Sequence, residues 1–281
     1  MRAPFVTAVL VLAMLGAVLA PRAAAADDVT IPAAGTTPAL TGYLARPAAV
    51  PAPAVLVLST CAGLGTLEKA TVDDLAAHGF VGLAIDTNTP QGSANTCAFV
   101  AKAAPVGATY AISTLTWLAA QPYVTSDRLG ILGFSQGGIE ALDLTDPWTE
   151  CGPMTPYAPG QRQTAVQRCP PVRRPLPRGV RAAVAYYPAC AQRSSNVYVP
   201  LQMFDGDADD WIPFAPCQAL AQSATAAGKT VQITTYPGAT HYFNEPANAP
   251  RTYLGHTLRY DSAAAADAEA KTMAFFAQQL R

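Results

Sequence analysis

The sequence predicts an α/β domain with a mostly parallel central sheet and helices on both faces. Short apolar runs, typical of strands buried on both faces, alternate along the chain with segments of helical periodicity. The 281 residues are 51% hydrophobic and only 13% charged, which supplies a sizeable core and excludes intrinsic disorder. Strands separated by helices require crossover connections, and these give parallel strand pairs.

The predicted elements are justified by their patterns in chain order. Residues 40–46 alternate apolar and polar side chains and predict an edge strand, whereas residues 54–58 are a short continuous apolar run, which is typical of a strand buried on both faces. The later strands are predicted at residues 54–58, 80–85, 129–133, 180–186, 201–204 and 231–236. The helical patterns between and after them lie at residues 67–78, 106–120, 137–144, 216–227 and 261–280. The length of the chain suits one large α/β domain or two small ones, and we favour a single domain at residues 27–281.

One segment of the chain shows neither strand periodicity nor helical periodicity. Residues 145–179 contain eight prolines, five arginines and two cysteines, and they form a predicted insertion in the domain. A loop of this length is normally functional or tied down. The insertion is therefore either a lid over the pocket or a surface excursion, which chain entropy tolerates because closure cost grows slowly with length.

The first 26 residues have the pattern of a secretory signal peptide. Arg2 is followed by an apolar run at residues 5–20 and then by alanines before Asp27. A membrane anchor is the alternative, but the run is shorter than the roughly 20 apolar residues of a bilayer span. We therefore expect a secreted or periplasmic protein with no stable membrane insertion after cleavage.

Six cysteines follow the predicted signal peptide, and an even number in an exported chain predicts disulfides. Six cysteines allow 15 connectivities. We favour sequential pairing, because each pair then brackets one insertion or turn: Cys61 with Cys97, Cys151 with Cys169, and Cys190 with Cys217. A zinc site is the alternative, but there is no C-x-x-C pair and the chain has three histidines, so we expect no metal. Free core cysteines are the further alternative if the chain is not exported.

The net charge of the chain indicates whether it can bind nucleic acid. Eighteen basic and 19 acidic residues give a formal net charge of −1, and no basic stripe could neutralise a run of phosphates. The sequence therefore predicts no nucleic-acid partner.

The segment at residues 133–138, GFSQGG, carries the strongest chemical signal. It lies directly between a predicted strand and a predicted helix, which is the setting of a nucleophile elbow. A serine at such a turn has a strained backbone, and glycines two residues away on each side allow the backbone to approach closely. Ser135 is therefore the candidate nucleophile.

A serine nucleophile needs a base, and the expected chain order is serine, acid, histidine. His241 follows a predicted strand in a loop of small residues and is the candidate base. The other two histidines are less suitable as the base. His78 lies at the C-terminus of a predicted helix, where its interaction with the helix dipole is favourable, and no strand is predicted before His256.

The candidate acid lies after the strand predicted at residues 201–204, where four aspartates compete. Asp205 is still in the strand and Asp207 lies in the turn, whereas Asp209 is far enough along to point back to the His241 loop. We favour Asp209, with Asp207 and Asp210 as the alternatives. An acidic cluster can also be a solvated turn or a metal site.

A tetrahedral oxyanion needs two preorganised donors. In this architecture one is the backbone N–H after the nucleophile, here Gln136, and the other belongs to a loop after an earlier strand. The Cys61 N–H is the candidate in the loop at residues 59–64, whereas the hydroxyls of Ser59 and Thr60 can satisfy local backbone groups.

Several short motifs, in their order and spacing, resemble the dienelactone hydrolase family, which has the α/β-hydrolase fold. They lie at residues 57–64, 75–86, 133–138, 183–188, 206–213 and 236–241. The resemblance covers about residues 40–280. In that family the acid precedes a proline by four positions, as Asp209 precedes Pro213. The best-known members have a cysteine where this chain has Ser135, and relatives often have His-Gly or an acidic residue in place of Ser59-Thr60.

The sequence therefore predicts a secreted serine hydrolase that cleaves a small-molecule ester or lactone through Ser135, Asp209 and His241 without a cofactor. A secreted acyltransferase would use the same triad, and a non-catalytic binding protein could share the fold. Aromatic residues flank the proposed triad and would accommodate an apolar or aromatic acyl group, with plain packing as the alternative: Phe134, Trp211, Tyr242 and Phe243.

Overall fold

An eight-stranded sheet runs through the protein, whose computed structural model describes residues 25–145, 176–191, 193–247 and 250–281. The strand order is β1-β2-β4-β3-β5-β6-β7-β8. The strands are β1 (Ala25–Ile31), β2 (Leu40–Arg46), β3 (Ala52–Leu58), β4 (Val81–Ile85), β5 (Val124–Phe134), β6 (Val180–Tyr186), β7 (Leu201–Gly206) and β8 (Val231–Tyr236). The pairs from β4 to β8 are all parallel, whereas β1 pairs antiparallel with β2 and β2 pairs antiparallel with β4.

Five α-helices of the described residues cover the two faces of the sheet. They are α1 (Thr66–Ala77), α2 (Val100–Ala119), α3 (Gln136–Thr145), α4 (Ala215–Ala226) and α5 (Ser262–Gln279). The core on one face includes residues of α2, α3 and α4, and the core on the other face includes residues of α1 and α5. Strand β6 contributes alternate residues to both cores, as a central strand with two buried faces must. The predicted α/β-hydrolase architecture, a mostly parallel sheet with helices on both faces, is confirmed.

Three predictions of element position are wrong. Strand β5 begins at Val124 rather than at residue 129, because Val124 already pairs with Ala52 of β3. The strand at residues 40–46 is not an edge strand, because β1, which the sequence analysis did not assign, covers its outer side. Helix α2 begins at Val100 rather than at residue 106 and contains Pro105. Proline removes one helical hydrogen bond there, but Ala103 and Ala104 are fully buried, and this packing outweighs the local preference.

A short hairpin beside the histidine loop was also not predicted. Its strands, β9 (Arg251–Tyr253) and β10 (His256–Leu258), have three residues each, too few to show a period. His256 therefore does follow a strand. Leu258 forms an isolated bridge with His241, which places the hairpin against the candidate site.

Some predictions fall on residues outside the described ones. These are most of the proposed signal peptide, most of the insertion at residues 145–179, and the pair Cys151 and Cys169. Within the described residues, no helix is both long and apolar enough to cross a bilayer.

Candidate active site

The strand-to-helix turn at Ser135 has the strained backbone that its sequence predicts. Strand β5 ends at Phe134, helix α3 begins at Gln136, and Ser135 between them has φ of 53°, in the left-handed region. A Cβ atom on Gly133 would lie 2.0 Å from the Gly137 carbonyl oxygen, and one on Gly137 would lie 2.2 Å from the Leu58 carbonyl oxygen. Only glycine fits at either position, which explains the two glycines around the serine.

A continuous hydrogen-bond chain connects Ser135, His241 and Asp209. The His241 Nε2 atom lies 2.9 Å from Ser135 Oγ, and His241 Nδ1 lies 2.7 Å from Asp209 Oδ2. Since a carboxylate only accepts, Nδ1 carries the proton and Nε2 is free to accept from the serine hydroxyl. The side chains of His241 and Asp209 are 3% and 2% exposed, so the chain is shielded from water.

Backbone donors fix the orientation of Asp209. Its Oδ1 atom accepts hydrogen bonds from the N–H groups of Trp211 and Ile212, at 2.9 and 2.8 Å. The second oxygen, Oδ2, is thereby left to His241. The turn after β7 thus holds the carboxylate in the orientation that an imidazole-orienting acid requires.

The other three aspartates of this turn have different partners. The Asp207 Oδ1 atom accepts from the Gly238 N–H at 2.6 Å, and both oxygens of Asp210 accept from the Thr257 N–H at 3.1 Å. Asp205 is buried in β7, and its burial, together with the negative charge of Asp209, raises its pKa well above the ordinary value. Of the four aspartates, Asp209 is the one that the structure brings to His241.

Aromatic rings enclose the imidazole of His241. The ring of Tyr187 lies edge-on at 4.6 Å between centroids, and that of Trp211 lies at 5.2 Å. Trp211 also stacks on His256 of the hairpin, at 4.8 Å with an interplanar angle of 8°. Tyr187 lies in the motif at residues 183–188, but it was not identified from the sequence as a residue of the site. Phe134 and Phe243, expected beside the site, are fully buried core residues.

The two proposed oxyanion donors lie on neighbouring loops. The Gly137 N–H donates to the Ser59 carbonyl oxygen at 2.9 Å, which joins the start of α3 to the loop after β3. The N–H groups of Cys61 and Gln136 have no hydrogen-bond acceptor in the part of the chain that the structure describes. Both residues are almost fully buried.

Glu68 holds the loop after β3 through two backbone hydrogen bonds, and it was not identified from the sequence. Its Oε1 atom accepts from the Thr60 N–H at 3.1 Å and its Oε2 atom from the Gly65 N–H at 2.8 Å. Burial raises the pKa of Glu68, although the two backbone donors oppose the shift and the nearby charge of Glu245 adds to it.

Two disulfides lie in the described part of the chain. Cys61 is bonded to Cys97 and Cys190 to Cys217, with Cα–Cα distances of 4.7 and 4.9 Å. These are two of the three pairs expected from the sequence. The first lies in the loop of the proposed Cys61 donor. Among the described residues, no group of three or more His, Cys, Asp or Glu side chains is placed to hold a metal ion.

The fold is that of an α/β-hydrolase. Residues 40–168 and 171–280 match the model of the dienelactone hydrolase family. The chain belongs to that family. The resemblance inferred from its motifs is confirmed, and the family and its relatives identify the protein as a hydrolase acting on esters.

Among curated proteins, a Bradyrhizobium sp. protein described as "Probable 2-oxo-3-(5-oxofuran-2-ylidene)propanoate lactonase" is 26% identical over 230 residues, which cover 72% of this chain and 78% of that protein. Among solved structures, one provisionally described as a dienelactone hydrolase from Klebsiella pneumoniae has a TM-score of 0.70 and 22% identity, covering 92% of this chain and 100% of the other. Thermogutta terrifontis esterase 2, phosphorylated by paraoxon, has a TM-score of 0.62 and 18% identity, covering 90% and 94%.

Proposed function

We propose that the protein hydrolyses an ester or lactone through a catalytic triad of Ser135, His241 and Asp209. The observation that carries this proposal is the hydrogen-bond chain from Asp209 Oδ2 through the imidazole to Ser135 Oγ. This hydrogen-bond chain has the order of residues, and its histidine has the tautomer, that a serine hydrolase uses. The lactonase description of the Bradyrhizobium relative supports lactones as substrates beside open esters.

The reaction has two halves. In acylation, His241 Nε2 removes the Ser135 hydroxyl proton while Oγ attacks the substrate carbonyl carbon. The carbonyl oxygen becomes an oxyanion that the N–H groups of Cys61 and Gln136 stabilise, and His241 then returns the proton to the leaving alkoxide oxygen. The alcohol product leaves from an ester, or stays attached to the acyl group when a lactone ring opens.

In deacylation, water replaces the serine as the nucleophile. His241 takes a proton from that water, the resulting oxygen attacks the acyl-serine carbonyl, and the same two N–H groups hold the second oxyanion. Collapse breaks the bond to Ser135 Oγ, releases the carboxylic acid and returns the proton to the serine. The cycle consumes one water and needs no cofactor.

Export is the second part of the proposal. A signal peptide at residues 1–26 and the cysteine pairing together support a secreted or periplasmic protein, because disulfides persist in oxidising compartments. The proposed mature chain begins at Asp27. N-terminal sequencing of the protein recovered outside the cytoplasm tests this boundary, and an intact N-terminus on that protein would contradict it.

A panel of aryl esters, alkyl esters and lactones tests the triad. We expect Ser135→Ala and His241→Ala to remove nearly all turnover, and Asp209→Asn to lower kcat by about 10⁴ while leaving the fold intact. Asp207→Asn is the matched control, because Asp207 lies in the same turn but binds Gly238, and its kcat should stay within about threefold of the unmodified protein. Undiminished turnover in Ser135→Ala would overturn the proposal. Product analysis with an added alcohol distinguishes hydrolysis from acyl transfer.

A further inference from the structure

Asn88 is a fully buried amide that the proposed triad does not use, yet it contacts both sides of the proposed oxyanion site. It follows strand β4 and lies against the loop after β3. Its Nδ2 atom donates to the carbonyl oxygens of Thr60 and Cys61, both at 3.2 Å. Its Oδ1 atom accepts from Gln136 Nε2 at 2.8 Å. One side chain therefore joins the two residues whose backbone N–H groups are the proposed donors.

The contact with Thr60 fixes the direction of the Cys61 N–H. A peptide group is planar and trans, so its C=O and N–H point in opposite directions. Asn88 holds the C=O of the group that links Thr60 to Cys61, and the N–H of that same group must then point away from Asn88. Glu68 holds the preceding peptide group through the Thr60 N–H, so successive peptide groups of the loop are anchored from two sides.

The second donor is fixed in the same way. The Ser135 carbonyl oxygen accepts from the Ile139 N–H at 2.9 Å, and the Gln136 N–H of the same peptide group points in the opposite direction. The contact between Gln136 and Asn88 then ties this turn to the loop of the first donor. The relative placement of the two N–H groups thus depends on side chains that neither group belongs to.

A closed ring of buried hydrogen bonds keeps Asn88 in place. Thr96 Oγ1 lies 2.6 Å from Gln136 Oε1, to which it donates, and Thr96 also donates to the Cys61 carbonyl through its N–H at 2.8 Å. Gln136 Nε2 donates in addition to Glu140 Oε1 at 3.0 Å. Asn88, Thr96, Gln136 and Glu140 have no exposed surface. All side-chain polar atoms of Asn88, Thr96 and Gln136 are hydrogen-bonded, whereas Glu140 Oε2 has no partner among the described residues. The satisfied part of the network, which contains Asn88, holds one geometry.

We propose that Asn88 is a positioning residue that sets the mutual orientation of the Cys61 and Gln136 N–H groups for the reaction. The inference rests on the proposed function, because it assumes that these two groups bind the oxyanion. Negative charge on the carbonyl oxygen is absent from the bound substrate and develops in the transition state that leads to the tetrahedral intermediate. Asn88 therefore acts on kcat and leaves substrate binding nearly unchanged.

The test compares Asn88→Ala with Gln91→Ala by steady-state kinetics on one activated aryl ester. Gln91 is a matched control, because its amide likewise donates to two backbone carbonyls, those of Thr87 at 2.8 Å and Ala103 at 3.2 Å, but reaches neither proposed donor. We expect Asn88→Ala to lower kcat roughly 30- to 100-fold with KM within about threefold, since a misplacement of about 1 Å costs on the order of 10²-fold. Gln91→Ala should keep kcat within about twofold.

Two further variants keep the test decisive if Asn88→Ala does not fold. Asn88→Asp keeps the side-chain size but replaces the amide donor with a carboxylate facing two carbonyl oxygens, and it should lose at least as much kcat as the alanine variant. Gln136→Leu keeps the backbone N–H, removes its link to Asn88, and should lower kcat about tenfold. Because Asn88 and Gln136 act through one network, the double variant Asn88→Ala, Gln136→Leu should lose less kcat than the product of the two single fold-losses.

The outcomes separate the two proposals. If Ser135→Ala removes turnover while every folded Asn88 variant keeps the kcat of the unmodified protein, the positioning role is overturned and the triad stands. Equal losses of kcat in Asn88→Ala and Gln91→Ala, or a rise in KM at constant kcat, would also overturn it. Full turnover in Ser135→Ala would instead remove the proposed function itself.

Discussion

The two described disulfides close loops of similar length but differ in their distance from the proposed oxyanion donors. Cys61–Cys97 spans 36 residues and Cys190–Cys217 spans 27. Chain-entropy estimates for these lengths are about 3.8 and about 3.6 kcal/mol. Replacing either pair with serines should therefore lower the free energy of unfolding by nearly the same amount, and the melting temperature by roughly 10 °C.

The two replacements should differ in activity. Cys61 carries the proposed donor N–H, so loss of its disulfide frees one anchor of that loop, although Asn88, Glu68 and Thr96 still hold it. We expect the Cys61→Ser, Cys97→Ser double variant to lose about tenfold in kcat at a temperature where it is fully folded. The Cys190→Ser, Cys217→Ser variant should keep kcat within about twofold.

Urea unfolding and steady-state kinetics on the same preparations give both quantities. Added reductant should reproduce the result in the unmodified protein, with activity falling before or together with global unfolding. Equal kcat values in the two double variants would refute the claim that the Cys61–Cys97 bond positions the donor. Peptide mapping that found all six thiols free would also remove much of the support for export.

Three shorter predictions follow from single contacts. Gly133→Ala places a Cβ atom 2.0 Å from the Gly137 carbonyl oxygen and should destabilise the protein by several kcal/mol in urea unfolding; an unchanged midpoint would contradict the close approach. Burial raises the pKa of the Glu140 carboxyl well above its ordinary value of 4.5. The folded protein therefore keeps this proton at pH values where the unfolded chain has lost it, and the free energy of unfolding falls as the pH rises above about 4.5. Glu140→Gln should therefore gain stability relative to the unmodified protein between about pH 4 and pH 7, and a gap independent of pH would refute this. Trp211→Ala should lower kcat/KM for aryl esters about tenfold more than for small alkyl esters, and equal losses would show that Trp211 does not contact the substrate.

The elements that sequence periodicity located are those with strong local patterns. Strands β6 and β8 begin and end at the residues predicted for them, and the serine turn is specified by its own glycines. Strand β1 and the β9–β10 hairpin escaped prediction because a polar strand of few buried residues has no clear period. Strand β1 forms by pairing with β2, and β9 forms by pairing with β10, and periodicity does not encode either pairing.

The residues of the candidate site likewise divide into those that local sequence indicates and those that only the structure shows. Ser135 and His241 follow from local motif and chain order, whereas the choice among four aspartates depends on where each side chain points after the turn. Asn88 and Glu140 have no motif at all, because their contacts connect segments about 50 residues apart in the chain. Such long-range polar networks become visible only in three dimensions.

The central claim is that Ser135 is acylated during turnover, and mass spectrometry of the trapped intermediate tests it most directly. The protein is mixed with an activated aryl ester, quenched in acid within the first turnover, and digested for peptide mapping. We expect one acyl group per chain on Ser135, its disappearance on chase with buffer, and no adduct in Ser135→Ala. An acyl group on another residue, or continued hydrolysis by Ser135→Ala with no adduct, would contradict the account.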